Sequence, residues 1–284
     1  MRIDLSELEL KVPVFVSSLP GTIVYPYILA HVNSIDRELY HLDYARLVIL
    51  DINVHRFVKI GDYPIRELVK YYYSARSLAR KLREKLIIVL PDLPWDDDYF
   101  RGTRYIDNIR RTYMYHYALI SRIVELCRRY GSKMMPVIQH RHSLDTVKRS
   151  TIYVLDIAEK YRDHIYGLGI GSLCVTRSIR KIVSIVNTVR WLTNDEYRLH
   201  LFGVSIKILD HYKSGISIDS TGWTRPVDEA TWRVVEGKRR SCTSEKARTI
   251  YFLYWIRKIL EKLRQDTDIV DKYLNMMMKN LKAG

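Results

Sequence analysis

The sequence predicts an α/β fold with a parallel sheet, on three observations. Short apolar runs alternate strictly with long amphipathic segments. The apolar runs are continuous rather than interleaved with polar residues, as in strands covered on both faces. With 284 residues, 47% of them hydrophobic, the chain can bury a large core in a single α/β unit.

The strands follow in order. VPVFVSS (residues 12–18) is the first, and ARLVILD, ending at Asp51, the second. KLIIVLPD ends at Asp92, and KMMPVIQH runs past Pro136 to His140. IYGLGIGS contains Gly169 and Gly171, YRLHLFGV contains His200 and Gly203, and SGISIDS ends close to Asp219. An eighth strand is expected at residues 232–235.

Between them, residues 65–85 keep apolar side chains three and four apart at Leu68, Tyr72, Ala75 and Leu78, the spacing of one helical face. Residues 105–131 do the same and stop at Gly131, which is suited to the left-handed position after a helix. Residues 143–161 open on Ser143, a good N-cap. Residues 176–192 follow the fifth strand.

Eight strands alternating with helices point to a TIM-type (β/α)8 barrel, with a doubly wound open sheet as the alternative. Residues 21–44 break the rhythm and read as an insertion over one end of the barrel. The expected division is a barrel domain over residues 1–240 and C-terminal helices over 241–284 that pack on it. In the last segment Ile250, Leu253, Ile256, Leu260 and Leu263 share a face, with Arg257, Lys258, Lys262 and Arg264 elsewhere around it. Such a basic outer face reads first as solvated and second as a nucleic-acid contact.

The net charge is +15, from 47 Lys+Arg against 32 Asp+Glu, which favours a polyanionic partner, nucleic acid before membrane. Abundant Lys, Arg and Tyr without such a partner is the alternative. Three scattered cysteines, Cys127, Cys174 and Cys242, with no CxxC pair, argue against a disulfide framework and a thiolate zinc site. Arg2 and Asp4 stand where a signal peptide would turn apolar, and no apolar run is long enough to span a membrane. The expectation is a soluble, cytoplasmic protein with no membrane partner.

The polar and small residues at strand ends carry the functional reading. Asp51, Asp92, Gln139, the Gly169/Gly171 pair, His200 with Gly203, and Asp219 all fall at the C-terminal ends of different strands, the face on which barrel enzymes build active sites. One such aspartate is commonly a helix N-cap; six strands converging is a different matter. Two carboxylates in a closed pocket can divide labour. One attacks an electrophilic carbon while the other holds or delivers a proton, as in retaining glycosyl chemistry.

PDLPWD, PVIQH, GLGIGS, LHLFGV and SIDSTGWTR, in this order, resemble the strand-end motifs of the tRNA-guanine transglycosylase superfamily, which includes queuine and archaeosine enzymes and DNA-modifying relatives. The resemblance runs over residues 12–225. It implies a TIM barrel that exchanges guanine in a nucleic acid, tRNA or DNA, for a 7-deazaguanine base, with no cofactor. It further implies Asp219 as the nucleophile on ribose C1′ and Asp51 as the aspartate that moves the proton. Asp92 would read the guanine edge, and Gln139 would hold the base carbonyl. The Gly169–Ile170–Gly171 backbone would lie against the base, with His200 and Gly203 on the neighbouring wall. Family members often dimerise, so a homodimer is among the expected assemblies.

The chain departs from the family pattern in three places. Ile52, Asn53, Val54 and His55 replace the usual Ser-Gly-Gly-Phe, His140 replaces a glycine, and only Cys242 lies where the tRNA enzymes carry a zinc site. No structural zinc is therefore expected, and a diverged branch is implied.

Other stretches have two readings each. In QHRHS, His140 and His142 are metal ligands or, more simply, loop residues, and Arg141 is a phosphate contact. Asp96, Asp97 and Asp98 form a cation site or a solvated acidic turn. Lys238, Arg239 and Arg240 form a backbone clamp or a plain basic loop. Trp223, beside Arg225 at the nucleic-acid face, stacks on a base or belongs to the core. GLGIGS lacks the glycine spacing of a dinucleotide loop.

Three functions compete: base exchange on a polynucleotide, a diverged barrel that binds nucleic acid or purine without exchange, and an unrelated barrel glycosidase acting on a small sugar.

Overall fold

The computed structural model describes residues 2–33, 35–52, 63–94, 108–140, 143–176, 178–224 and 244–282. Their architecture is mixed α/β, and every described strand pairing is parallel. In chain order the strands are β1 (Ile3–Asp4), β2 (Val14–Phe15), β3 (Ile23–Val24), β4 (Tyr27–His31), β5 (Leu47–Asp51), β6 (Leu86–Val89), β7 (Lys133–Met135), β8 (Val137–Ile138), β9 (Leu168–Ile170), β10 (Leu199–Leu201) and β11 (Ile216–Asp219). The helices are α1 (Ile35–Leu42), α2 (Ile65–Leu82), α3 (Asn108–Tyr130), α4 (Leu144–Lys160), α5 (Ile179–Leu192), α6 (Glu245–Leu263) and α7 (Asp268–Lys282).

Two sheets carry the core, in the orders β2-β11-β10-β9-β8 and β4-β5-β6-β7, with β1 and β3 forming a small separate pair. The two larger sheets meet at both edges. On one side β7 runs into β8 across Pro136, which has no N–H for a ladder but whose carbonyl accepts from Gly169 N–H at 2.9 Å. On the other, Val16, next after β2, donates to the Tyr27 carbonyl at 3.1 Å and accepts from Leu29 N–H at 2.8 Å.

Continuous burial explains the strand composition. All four residues of β6 and of β11 are buried, as the run of apolar residues without alternation requires. The helices lie over them by their apolar faces. In α2, Leu68, Tyr71, Ala75, Leu78, Ala79 and Leu82 are buried at helical spacing. Ser143 caps α4 by accepting from Thr146 N–H at 3.3 Å, and Gly131 ends α3 with φ of +78°, as their residue types predict.

Two expectations need correction or fall outside these residues. Residues 21–44 are not an insertion: they contain β4 and α1, a strand–helix unit like the others. Pro26 and Gly21 disguised it, yet Tyr27, Ile28, Leu29 and Ala30 are all buried and β4 pairs with β5 over its full length. In the C-terminal helix α6, Tyr251, Phe252 and Trp255 are buried along with the apolar stripe of Ile250, Leu253, Ile256, Leu260 and Leu263. The strand expected at residues 232–235 lies outside the described residues. No described helix is long and apolar enough to cross a membrane.

Tyr71 ties α2 to the ends of two strands. Its buried hydroxyl reaches the Leu50 carbonyl at 3.1 Å and also contacts that of Val89. Tyr71→Phe removes a hydroxyl hydrogen bond buried between the two strand ends and should lower the unfolding free energy by about 1–3 kcal/mol. Urea denaturation checks this, and an unchanged midpoint would contradict it.

Candidate active site

All strands of the two larger sheets run toward one cavity of about 910 Å³, within the range of small-ligand sites. Ser17 follows β2, and His31 and Asp51 end β4 and β5. Asp92, Gln139 and the Gly171–Ser172 pair come just after β6, β8 and β9. Phe202 and Gly203 follow β10, and Asp219 ends β11. Three aspartates from distant parts of the chain therefore face the same space.

Each aspartate has its own partners. Asp219 Oδ1 accepts the Gly203 N–H at 2.9 Å and lies 3.3 Å from His200 Nε2. His200 Nδ1 is 2.9 Å from Ser217 Oγ, and the imidazole stands edge-on to Phe15 and Phe202. A lone pair on Nε2 would repel the carboxylate. The arrangement favours the tautomer with hydrogen on Nε2 and the Ser217 hydroxyl donating to Nδ1. The Nε2–Oδ1 contact is too bent for a good hydrogen bond, so it acts as an oriented dipole beside the charge.

Gly203 has φ of +65°, and a Cβ there would come within 2.6 Å of Cys174 Cβ. The glycine is what lets the backbone turn its N–H onto Asp219.

Asp51 pairs with His31, with Oδ2 at 3.3 Å from Nδ1, because the two residues are register partners on β5 and β4. Asp92 belongs to a third arrangement. Ser172 Oγ donates to Gln139 Oε1 at 2.6 Å, and the Gln139 amide nitrogen donates to the Asp92 carboxyl. The Gln139 backbone N–H is itself held by Ser150 Oγ at 2.9 Å, and the Asp92 carbonyl by the Tyr63 hydroxyl at 2.6 Å. Burial first, and the nearby charge of Asp51 second, push the Asp92 carboxyl up to about 8 despite the Gln139 hydrogen bond. At neutral pH it is mainly the protonated acid.

The structure sorts the sequence-predicted residues. Asp51, Asp92, Gln139, Gly171, Gly203 and Asp219 share the cavity. His200 does not line it: the ring is buried behind Asp219 and acts on that carboxylate. Gly169 and Ile170 are likewise set back in the sheet, where a Cβ on Gly169 would come within 2.6 Å of the Phe202 ring. Gly171 lies in the wall, but the side chain it makes room for is the amide of Gln139. Trp223 is a core residue, fully buried and edge-on to Phe252, so it offers no face to a base. Arg141, Arg225, Lys238, Arg239 and Arg240 lie outside the described residues.

Sequence reasoning missed His31, Ser172, Trp255 and Lys207, and it read Lys258 and Lys262 first as part of a solvated helix face; all six line the cavity. His31 ends an apolar run just as Asp51 does. Trp255, Lys258 and Lys262 stand at i, i+3 and i+7 of α6, one helical face.

Compared with protein-family models and with curated proteins, the chain matches none.

The raised Asp92 carboxyl has a measurable consequence. Between its ordinary value of 3.8 and about 8 the unfolded chain binds fewer protons at this position than the folded one, so folding stability falls as pH rises across that window. Asp92→Asn removes the penalty. Relative to the parent, its melting temperature should be higher by on the order of 5 °C at pH 7.5 and no higher at pH 3.5. Scanning calorimetry at the two pH values checks this; the same shift at both would contradict a buried, protonated Asp92.

Proposed function

We propose that the chain is a base-exchange glycosyltransferase: it replaces guanine in a nucleic acid, RNA or DNA, with a 7-deazaguanine base through a covalent aspartyl–sugar intermediate. The observation that carries this reading is Asp219. It is an acceptor oriented by a backbone N–H and an imidazole, and it faces a cavity it shares with Asp51 and Asp92.

In this reading a carboxylate oxygen of Asp219 attacks C1′ of the sugar. The bond from C1′ to the guanine ring nitrogen breaks, and its electron pair leaves with the base, which takes up a proton. The incoming base then attacks C1′, loses its ring proton and releases the Asp219 carboxylate. Asp51, beside His31, is the group that moves protons to and from the two bases. Asp92 and Gln139 read the purine edge. The Gly203 N–H and His200 keep Asp219 aimed, so their role is positioning. A nucleotide must leave its stack to enter a cavity of this depth.

Three features support the framework. The parallel pairings, joined through Val16–Ile28 at one edge and through Pro136 at the other, support a (β/α)8 barrel of eight strand positions. The convergence of strand ends on one cavity is the layout of barrel active sites. The net charge of +15 supports a polyanionic substrate.

The first test is exchange itself. Parent protein incubated with isotopically labelled guanine and separate pools of tRNA and DNA should incorporate label into one of them, read by mass spectrometry of the nucleosides. Asp219→Asn should lower incorporation on the order of a thousandfold or more without lowering the melting temperature. Full activity in that variant would exclude Asp219 as nucleophile, and binding without any incorporation by the parent would favour the non-catalytic alternative.

The second concerns pH. To accept two N–H groups from a guanine edge, Asp92 must be ionised. Guanine affinity measured by calorimetry should rise about tenfold per pH unit from 6 toward 8 and then level off. A flat profile would mean that Asp92 does not read that edge.

A further inference from the structure

The cavity is electrostatically divided. Asp51, Asp92 and Asp219 stand at strand ends, while one side is lined by Lys207, Lys258 and Lys262. Lys207 belongs to the short turn Ile206–Asp210 that follows β10, and the other two belong to α6. Asp210 is the acidic residue of that side, and both its oxygens are taken by Lys262 Nζ at 2.6 and 2.7 Å. Lys207 and Lys258 are exposed, and no carboxylate among the described residues pairs with either. Two lysine charges are therefore left over on the wall that also contains Val204, Ser205, Ser220 and Thr221.

Position along the chain makes this informative. The segment that leaves β10 presents first Gly203, whose N–H holds Asp219, and four residues later Lys207. An anion on the lysine side is then a neighbour of whatever Asp219 touches.

We propose that Lys207 and Lys258 form a phosphate subsite. It holds a phosphate ester on the sugar whose C1′ faces Asp219, so that the cavity takes a nucleotide unit rather than a free nucleoside. The proposal rests on the base-exchange reading for what lies beyond the phosphate. Lysine suits this task as a mobile, hydrated point charge that satisfies a phosphate without demanding one orientation. The Lys262–Asp210 pair adds no net charge. Its role is to keep Asp210 from neutralising the other two lysines. A ligand with an N–H-rich base and an adjacent anion complements both halves of the cavity.

The test compares three ligands on parent protein and on the double variant Lys207→Gln/Lys258→Gln: guanosine, a five-nucleotide single strand with one central guanine, and the same strand with an abasic centre. The parent should bind the guanine strand at least tenfold tighter than guanosine. The double variant should lose that advantage, and its slope of log affinity against log salt should fall by about 0.7, the value for one phosphate contact on a single strand. Guanosine binding should not change, and Lys207→Arg/Lys258→Arg should keep strand affinity within about threefold, since the charge is retained.

Equal strand affinity and equal salt slope in parent and double variant would overturn the subsite. A parent that binds the abasic strand as tightly as the guanine strand would instead overturn the purine reading and leave the lysine subsite standing. No binding of either strand by the parent would overturn both. Guanosine 5′-monophosphate separates the sources of the anion: if it matches the strand, a terminal phosphate suffices, and if it matches guanosine, the subsite needs a phosphodiester.

Discussion

Three carboxylates facing one cavity repel one another, and in a partly buried setting they cannot all ionise at little cost. The surroundings of the cavity divide that burden unequally. Asp219 receives a backbone N–H and stands beside an imidazole nitrogen. Asp51 has His31 as its register partner on the next strand. Asp92 is the most deeply enclosed, with a neutral amide for a partner, and it yields by keeping its proton. Different protonation states in one space are what acid, base and nucleophile roles require. Here each strand end brings its carboxylate a different partner.

The backbone makes this division possible. Parallel strands place all their C-terminal ends on one side, so residues far apart in sequence become neighbours without long loops. Pro136 and Val16 carry the pairing from one sheet to the other, which keeps the strand ends in a continuous series. Close packing behind the wall then fixes the angles. Gly203 can turn its N–H onto Asp219 because it has no Cβ to meet Cys174, and Gly171 is where the Gln139 amide lies. The aromatic pair Phe15 and Phe202 confines the His200 ring. Helix α6 completes the enclosure with Trp255 and brings positive charge to a cavity whose strand ends are acidic.

The strand–helix rhythm, the caps at Ser143 and Gly131 and the strand-end aspartates are local signals, and they were legible because a short window of sequence contains them. What stayed hidden depends on packing between distant segments. The pattern YILAH at β4 is as clear a strand as ILD at β5, but Pro26 and the polar stretch after Val32 made residues 21–44 look irregular. His200 sits in the middle of β10 rather than at its end, and its ring lies behind Asp219 rather than on the cavity wall. Period-2 alternation leaves its facing undecided until Phe15 and Ser217 are known to surround it. Trp223 reads equally well as a stacking platform or a core residue, and only the tertiary fold buries it against Phe252. The face of α6 that lines the cavity was visible as spacing. Its meaning was not, because nothing in a single helix says which side meets a cavity.

In the proposed reaction the Asp219 carboxyl is the group aimed at a sugar carbon. Protein incubated with a guanine-containing polynucleotide, quenched in denaturant, and digested with nuclease and protease should yield one modified peptide. That peptide should contain Asp219 and carry the mass of an ester-linked nucleotide sugar lacking its base. An adduct on any other residue, or an unmodified Asp219 peptide from a reaction in which labelled base has been exchanged, would contradict it.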